Sequence, residues 1–319
     1  MAHFVEVAKA GTADWDKLMA LAASMEPKLR LAFLRSLHDT LGKLTYAEVV
    51  RALELGTWEN LVDLATQNGA TFAPLREGIR VGIGAAAQHT ASGIKGFAGA
   101  VDMYHPGAVQ FLKDYTLDRI RQFTDEMREG VREAVHNGLV NGWNPRKTAR
   151  EIRSISTFGL TSRQRAAVNN FRRLVETGDR EALTRALRDK RFDASLKKQI
   201  LGEVNLSREQ IDKMVEAYER RYLRYRSETI ARTESIRALS SGNRVGWQQF
   251  LDQRGKGSTA LRRKWYVSPG ERTCEFCRPI PRMNPDGRGF DELFETPLGP
   301  YLDPPLHPDC RCTILTRLA

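Results

Sequence analysis

All four cysteines of this 319-residue chain fall in its last 46 residues, as Cys274-x-x-Cys277 and, after 29 intervening residues, His307-x-x-Cys310-x-Cys312. Thiolate and imidazole are the side chains that hold zinc. A pair on one turn, facing a cluster where a loop returns, can surround one tetrahedral ion. Cys274, Cys277, His307, Cys310 and Cys312 are five candidates for four places, so His307 is either a ligand or a hydrogen-bonded bystander. Two disulfides in a stapled hairpin fit the same spacing, and buried free thiols are the third alternative. None of these implies turnover, because closed sites of this shape are structural.

A zinc-dependent nucleic-acid enzyme is disfavoured on composition of the site itself. A deaminase needs a His or Cys ligand beside a glutamate base and a Pro-Cys-x-x-Cys element; here Thr273 precedes Cys274 and no His-x-Glu stands upstream. A His-metal nuclease needs a general-base histidine outside the ion's own ligands. The other five histidines, at 3, 38, 89, 105 and 136, have no metal-ligand spacing. No catalytic residue and no organic cofactor are assigned.

The elements that must carry the cysteines are mainly helices. The first hundred residues read as short helices, one opened by a Thr45–Glu48 capping box. Residues 81–100 are crowded with glycine and alanine, which predicts a tight helix crossing or a linker rather than a membrane-active segment, for bulky interfacial anchors are missing. Leu117, Ile120, Phe123, Met127, Val131, Val135 and Leu139 recur at helical spacing and predict a long helix over about 108–139. Asn144-Pro145 and Thr161 with Gln164 start further helices. Ser207 with Gln210 opens one expected to run past Tyr225 toward Leu239. Beyond the breakers Ser241-Gly242 and Gly255-Lys256-Gly257, short strands are expected at 265–267 and 313–316, with turns at Pro269-Gly270 and Pro285-Asp286-Gly287. The fold class is mainly α: an elongated helical body with a small C-terminal α+β or β lobe stapled by its cysteines. The expected partition is a helical segment 1–105 that serves for docking, a basic helical body 106–252 and a lobe 253–319.

The chain carries a net charge of +11, and between Arg146 and Arg232 there are 22 Lys and Arg against 12 Asp and Glu. Arg163, Arg165, Arg172, Arg173, Arg185 and Arg188 are among those expected on helix surfaces. A concentrated positive field binds phosphate backbones without sequence preference. Arg220, Arg221, Arg224 and Arg226 are the candidate DNA contacts, with Tyr218, Tyr222 and Tyr225 placed to stack on bases. The competing reading is a solvated face of i,i+4 ion pairs such as Glu216–Arg220. No helix-turn-helix reader is present. No secretory leader and no apolar run of membrane-spanning length is visible, which predicts a soluble protein made in the cytoplasm without stable membrane insertion.

Ile230-Ala231-Arg232-Thr233-Glu234, Trp247, Trp265, the Arg272-Thr273-Cys274-x-x-Cys277 step and Pro304-Pro305-Leu306-His307-Pro308-Asp309-Cys310-Arg311-Cys312 together resemble the phage Mu F-type minor head proteins, or phage head morphogenesis proteins. Residues 162–175 resemble the helical region that precedes the Ala-Arg-Thr-Glu step in that family. The resemblance spans about 108–316 and leaves 1–105 without a counterpart. It implies a minor capsid protein of the virion, inside the head near the portal vertex and made in the host cytoplasm. Its partners would be the portal protein, the major capsid or scaffold protein, and phage DNA bound non-specifically, with ejection alongside the genome in some members. A DNA-packaging accessory or a host-directed DNA-binding regulator is the alternative. Arg232 and Glu234 are two apart on a helix and do not face each other; each is expected to be structural, locking the helical body to the lobe through a charged hydrogen bond.

Overall fold

The computed structural model describes residues 2–66, 72–255, 257, 260–268 and 273–318, with side chains from Trp15 onward except at 107, 111 and 114–117. The expected turn at Pro269-Gly270, the Arg272 and Lys256 positions and the Leu117 side chain lie outside the described residues. Eleven α-helices and three strands are present among those described: α1 (Ala2–Gly42), α2 (Tyr46–Glu54), α3 (Leu61–Thr66), α4 (Ala73–Gly93), α5 (Pro106–Val140), α6 (Pro145–Ile152), α7 (Ile155–Gly159), α8 (Ser162–Glu176), α9 (Asp193–Ile200), α10 (Arg208–Gln253), β1 (Leu261–Tyr266), α11 (Ile280–Met283), β2 (Arg288–Gly289) and β3 (Thr313–Leu318). The chain is thus mainly helical with a small antiparallel sheet near its C-terminus. No helix among the described residues is long and apolar enough to cross a membrane.

By compactness the chain forms two units. One comprises Met1–Phe33, Ala73–Leu117 and Glu228–Ala319; the other comprises Leu34–Phe72 and Asp118–Ser227. These differ from the linear division at 105 and 252, because α1, α5 and α10 each supply residues to both units.

The expectation of short helices over the first hundred residues is corrected by α1, which is 41 residues long and contains Pro27. Ala22 and Met25 before the proline and Leu29, Phe33 and Leu37 after it are all buried at helical spacing, so one apolar stripe continues through the proline.

In the first unit, the small residues of α4 form a tight helix crossing. A β-carbon on Gly82 would come within 3.0 Å of Met25 Sδ and 3.3 Å of Ala238 Cβ. One on Gly242 would meet Ala86 Cβ at 2.5 Å and the Ala87 backbone nitrogen at 2.6 Å. Gly242, expected to break the helix, lies inside α10 because only a residue without Cβ lets α4 approach so closely. Beyond α4, two glutamines of α10 hold the connecting backbone. Gln249 accepts from the Asp102 amide (2.9 Å) and donates to its carbonyl (2.6 Å); Gln253 does the same for Ala98 at 3.1 and 2.9 Å.

The lobe's sheet has the order β2-β1-β3, with Lys264 paired to Leu315 and Trp265 to Ile314. Its core is Trp265, Ile280, Phe294, Leu306 and Ile314 together with Cys277, Cys310 and Cys312. Arg263 is fully buried on the same face of β1 as Leu261 and Trp265. Its Nε donates to Gly289 O (3.0 Å), Nη1 to Leu302 O (2.9 Å) and Asp303 (2.7 Å), and Nη2 to Glu292 O.

In the second unit, Phe123, Met127, Val131 and Val135 of α5 are buried as the periodicity predicts. Leu139 is the exception at 77% exposed, one residue from the helix end, with Gly138 rather than Leu139 facing Thr148. The caps form as the sequence predicts: Thr45 with Glu48 and Thr161 with Gln164 make capping boxes, and Asn144 accepts from the Lys147 amide. Ser207 and Gln210 exchange hydrogen bonds at the start of α10.

Candidate metal centre

The Cys274–Cys277 turn is a tight knuckle in which the Cys277 amide donates to Cys274 Sγ at 3.3 Å and the Arg278 amide to Cys274 O at 3.0 Å. The opposite turn is closed by the Cys310 amide on His307 O, 3.2 Å. Both turns are attached to the sheet, the first following β1 and the second leading into β3. Antiparallel pairing of β1 with β3 therefore brings the two ends of a long loop together.

The donor atoms converge. His307 Nε2 lies 3.0 Å from Cys274 Sγ and 3.3 Å from Cys277 Sγ, and Cys277 Sγ lies 3.9 Å from Cys310 Sγ. A tetrahedral ion with metal–sulfur bonds of about 2.3 Å sets its sulfurs about 3.8 Å apart. Cys274, Cys277 and His307 form one group able to hold a metal ion, and Cys277, Cys310 and Cys312 form another. Cys277 belongs to both. His307 Nδ1 is 2.7 Å from Pro308 O, to which it can donate, and this leaves Nε2 with a lone pair toward the sulfurs. The disulfide alternative is not what the structure contains: all four cysteines are free thiols, and the 3.9 Å Cys277–Cys310 separation is well beyond a sulfur–sulfur bond of about 2.05 Å.

Cys277, Cys310 and Cys312 are buried, whereas Cys274 and His307 are half-buried. A cavity of about 310 Å³ opens over the group, lined by the four cysteines, His307, Ser268, Thr273, Asp309 and Arg311. Hydrogen bonding between Cys277 and Cys310 pulls the Cys310 thiol far down and pushes Cys277 up. Cys312 is drawn toward thiolate by Cys277 and more weakly by the Trp265 indole, but Cys310 and burial outweigh both and push it up. Three crowded thiols compete for protons, which is the condition a divalent cation relieves.

Arg232 reaches the cysteine loop, with Nη1 3.1 Å from Asp309 Oδ1 and Nε 3.5 Å from Glu26 of α1. Glu234 does not. It is buried, lies 3.9 Å from Arg237 on its own helix, and its Oε2 has no hydrogen-bond partner among the described residues. Burial pushes its carboxyl up to about 7. Two residues along a helix is about 200° of rotation, so one side chain of the pair faces the loop and the other faces away.

The candidate DNA contacts divide. Arg226 is buried, with Nη2 bonded to Glu126 of α5, and so is no surface phosphate contact. Arg221 is tied to Asp189 (3.2 Å) and Arg188 O (2.9 Å), and Arg220 lies 3.6 Å from Glu216. Arg224 is exposed. Tyr218 is buried and stacked on Phe171 at 4.2 Å, which removes it as a base platform; Tyr222 meets it edge-on, and Tyr225 is 48% exposed. Arg165, expected on a surface, is buried and bonds Glu133 at 2.6 Å and Thr157 O at 3.2 Å. Lys190, Lys197 and Lys198 are exposed.

Sequence reasoning missed three contributors. Period-2 alternation places Arg263 on the inward face of β1, which was a usable signal. Thr229 and Thr233 flank Arg232 at helical spacing and bond Asp309, but nothing local marks them. Comparison of this chain with protein-family models, with curated proteins and with solved structures finds no match in any of the three.

Proposed function

We propose that this chain is a minor head protein of a tailed phage, structural rather than enzymatic, positioned at the portal vertex inside the head. One observation carries the reading. The two segments on which the resemblance is most specific, residues 231–234 and 307–312, meet through the 3.1 Å contact between Arg232 and Asp309. A shared motif pair that forms one physical joint is what a fold-defining signature requires.

The lobe belongs to this reading as a metal-stapled end. Its donor set is sulfur-rich with one imidazole, which suits zinc. Cys274, Cys277, His307 and Cys310 would hold the ion, with Cys312 behind them beside Trp265. The ion would supply a cross-link and charge neutralisation. The lobe's core includes three of the cysteines, so a folding role fits better than turnover.

The basic residues support non-specific contact with the packaged genome. The contact surface is narrower than the sequence suggests, since Arg221 and Arg226 serve internal carboxylates. Mass spectrometry of gradient-purified particles tests the proposal. The protein should remain with intact heads, and particles assembled without it should lose infectivity or DNA content. A packaging accessory or host-directed regulator would be left in the lysate, and that result would overturn the assignment.

A further inference from the structure

Asp309 sits between the ligand candidates His307 and Cys310 yet belongs to neither donor group. Its backbone is in the left-handed region, φ 61°, which Asp tolerates better than most residues with a β-carbon. That conformation belongs to the turn in which the Cys310 amide bonds His307 O at 3.2 Å.

Three residues on one face of α10 hold it there. Thr229 Oγ1 donates to Asp309 Oδ2 at 3.1 Å and Arg232 Nη1 to Oδ1 at 3.1 Å, while the Asp309 amide donates to Thr233 Oγ1 at 3.2 Å. Thr229, Arg232 and Thr233 are spaced i, i+3, i+4, so a single helical face presents two donors to the carboxylate and an acceptor to the amide. From α1, Trp15 Nε1 donates to Arg311 O at 3.1 Å, fixing the same loop two residues further on. The first three of these bonds are made to the residue between two ligands, and the fourth to the residue that follows Cys310.

We propose that Asp309 is a positioning residue of the metal site: anchored on α10, it holds the His307–Cys310 turn in ligating geometry, so that a helix contributing no ligand sets the affinity of the centre. The inference rests on the metal reading of the cluster. It adds that the strength of that site is controlled from outside the lobe. Positioning groups around metal ligands are worth about 10- to 100-fold in metal affinity, and a clasp that prevents loop disorder belongs in that range.

The test uses the full-length protein, Co²⁺ as a spectroscopic probe and Zn²⁺ in competition with a chromophoric chelator. Asp309→Gly keeps the left-handed backbone accessible but removes the carboxylate; Asp309→Ala removes both; Asp309→Asn keeps the shape and one acceptor oxygen. We expect Asp309→Gly and Asp309→Ala to bind about 10- to 100-fold more weakly, with altered ligand-field bands, and Asp309→Asn to recover most of the affinity. Thr229→Val, which removes one bond from a half-buried part of the clasp, should weaken binding severalfold with helical content unchanged, and it decides the matter if the Asp309 variants do not fold. Wild-type affinity and spectrum in Asp309→Gly, or in Thr229→Val where the Asp309 variants do not fold, would overturn the proposal while leaving the metal centre intact. A wild-type protein that gives no thiolate-to-cobalt absorption would sink both.

Discussion

Arg263, with no exposed surface, donates to Asp303 at 2.7 Å from inside the sheet. Desolvation pushes the Asp303 carboxyl up to about 6, against the opposing pull of Arg263 and Arg244. The remaining guanidinium donors go to the backbone carbonyls of Gly289, Leu302 and Glu292, and the ring of Phe294 lies 5.1 Å beneath. The guanidinium thus ties together two segments, residues 289–292 and residues 302–303. Removing it should cost about 3–5 kcal/mol, since Asp303 would remain buried with only the longer contact to Arg244 at 3.8 Å. Arg263→Lys should recover little, because one ammonium cannot reach carbonyls spread around a planar fork. Urea unfolding of Arg263→Met and Arg263→Lys checks both statements.

Zinc stoichiometry should separate the five donors. Cys277 belongs to both donor groups, so Cys277→Ala is expected to abolish binding. Cys312→Ala should retain about one zinc per chain at reduced affinity. Elemental analysis of freshly purified protein reads this directly, and equal losses in the two variants would refute the four-ligand assignment. Chelation of the wild type should unfold the lobe and leave the helical signal of the rest largely in place.

Glu234 should make stability pH-dependent. Its folded carboxyl is raised by burial to about 7 from an ordinary 4.5. The neutral acid is the form the fold prefers, so its contribution is fully present below 4.5 and lost as pH rises through 7. Glu234→Gln should therefore stabilise the protein at pH 8, by roughly 1–3 kcal/mol, and change little at pH 4. Thermal unfolding across that range gives the answer.

The α4–α10 crossing should be intolerant at one glycine and forgiving at another. Gly242→Ala would drive a methyl into the Ala87 backbone at 2.6 Å, and a cost of about 1–3 kcal/mol is expected. Gly82→Ala meets chiefly the Met25 sulfur at 3.0 Å, which can move, so a smaller loss should appear in denaturant midpoints.

DNA binding, if the proposed function holds, should depend on exposed cations and not on the buried one. A Lys197→Ala/Lys198→Ala double variant should bind unrelated duplexes more weakly, with a salt slope lowered by about two. Arg226→Ala should instead lower stability, because Glu126 loses its partner. Fluorescence anisotropy over a salt series, beside melting curves, separates the two effects. A preference for one sequence would contradict the non-specific contact.

The features legible in the sequence are those decided within a few residues. Thr45 caps through Glu48 and Thr161 through Gln164 because donor and acceptor are three positions apart on a forming turn. The cysteine cluster was legible because soft ligands are few and their spacing is restrictive. The fate of the arginines was not. Arg226 meets Glu126, a hundred residues earlier, and Arg221 meets Asp189. Charge composition cannot say which guanidinium finds a tertiary partner. The length of α1 was obscured similarly, since its continuity past Pro27 depends on what covers Leu29 and Phe33.

The paired glutamines of α10 hold the connection between α4 and α5 by its peptide groups alone. Gln249 and Gln253 each grip an amide and a carbonyl of the same residue, as a neighbouring strand would. A hook that reads only main chain is indifferent to the letter it holds. Ala98 can therefore drift through substitution while the loop keeps its path, provided the residue retains its N–H. The instruction that shapes this stretch is encoded about 150 positions downstream, and an engineer who wished to graft a new loop there would have to preserve the helix together with the Ile94 and Phe97 side chains that pack on it.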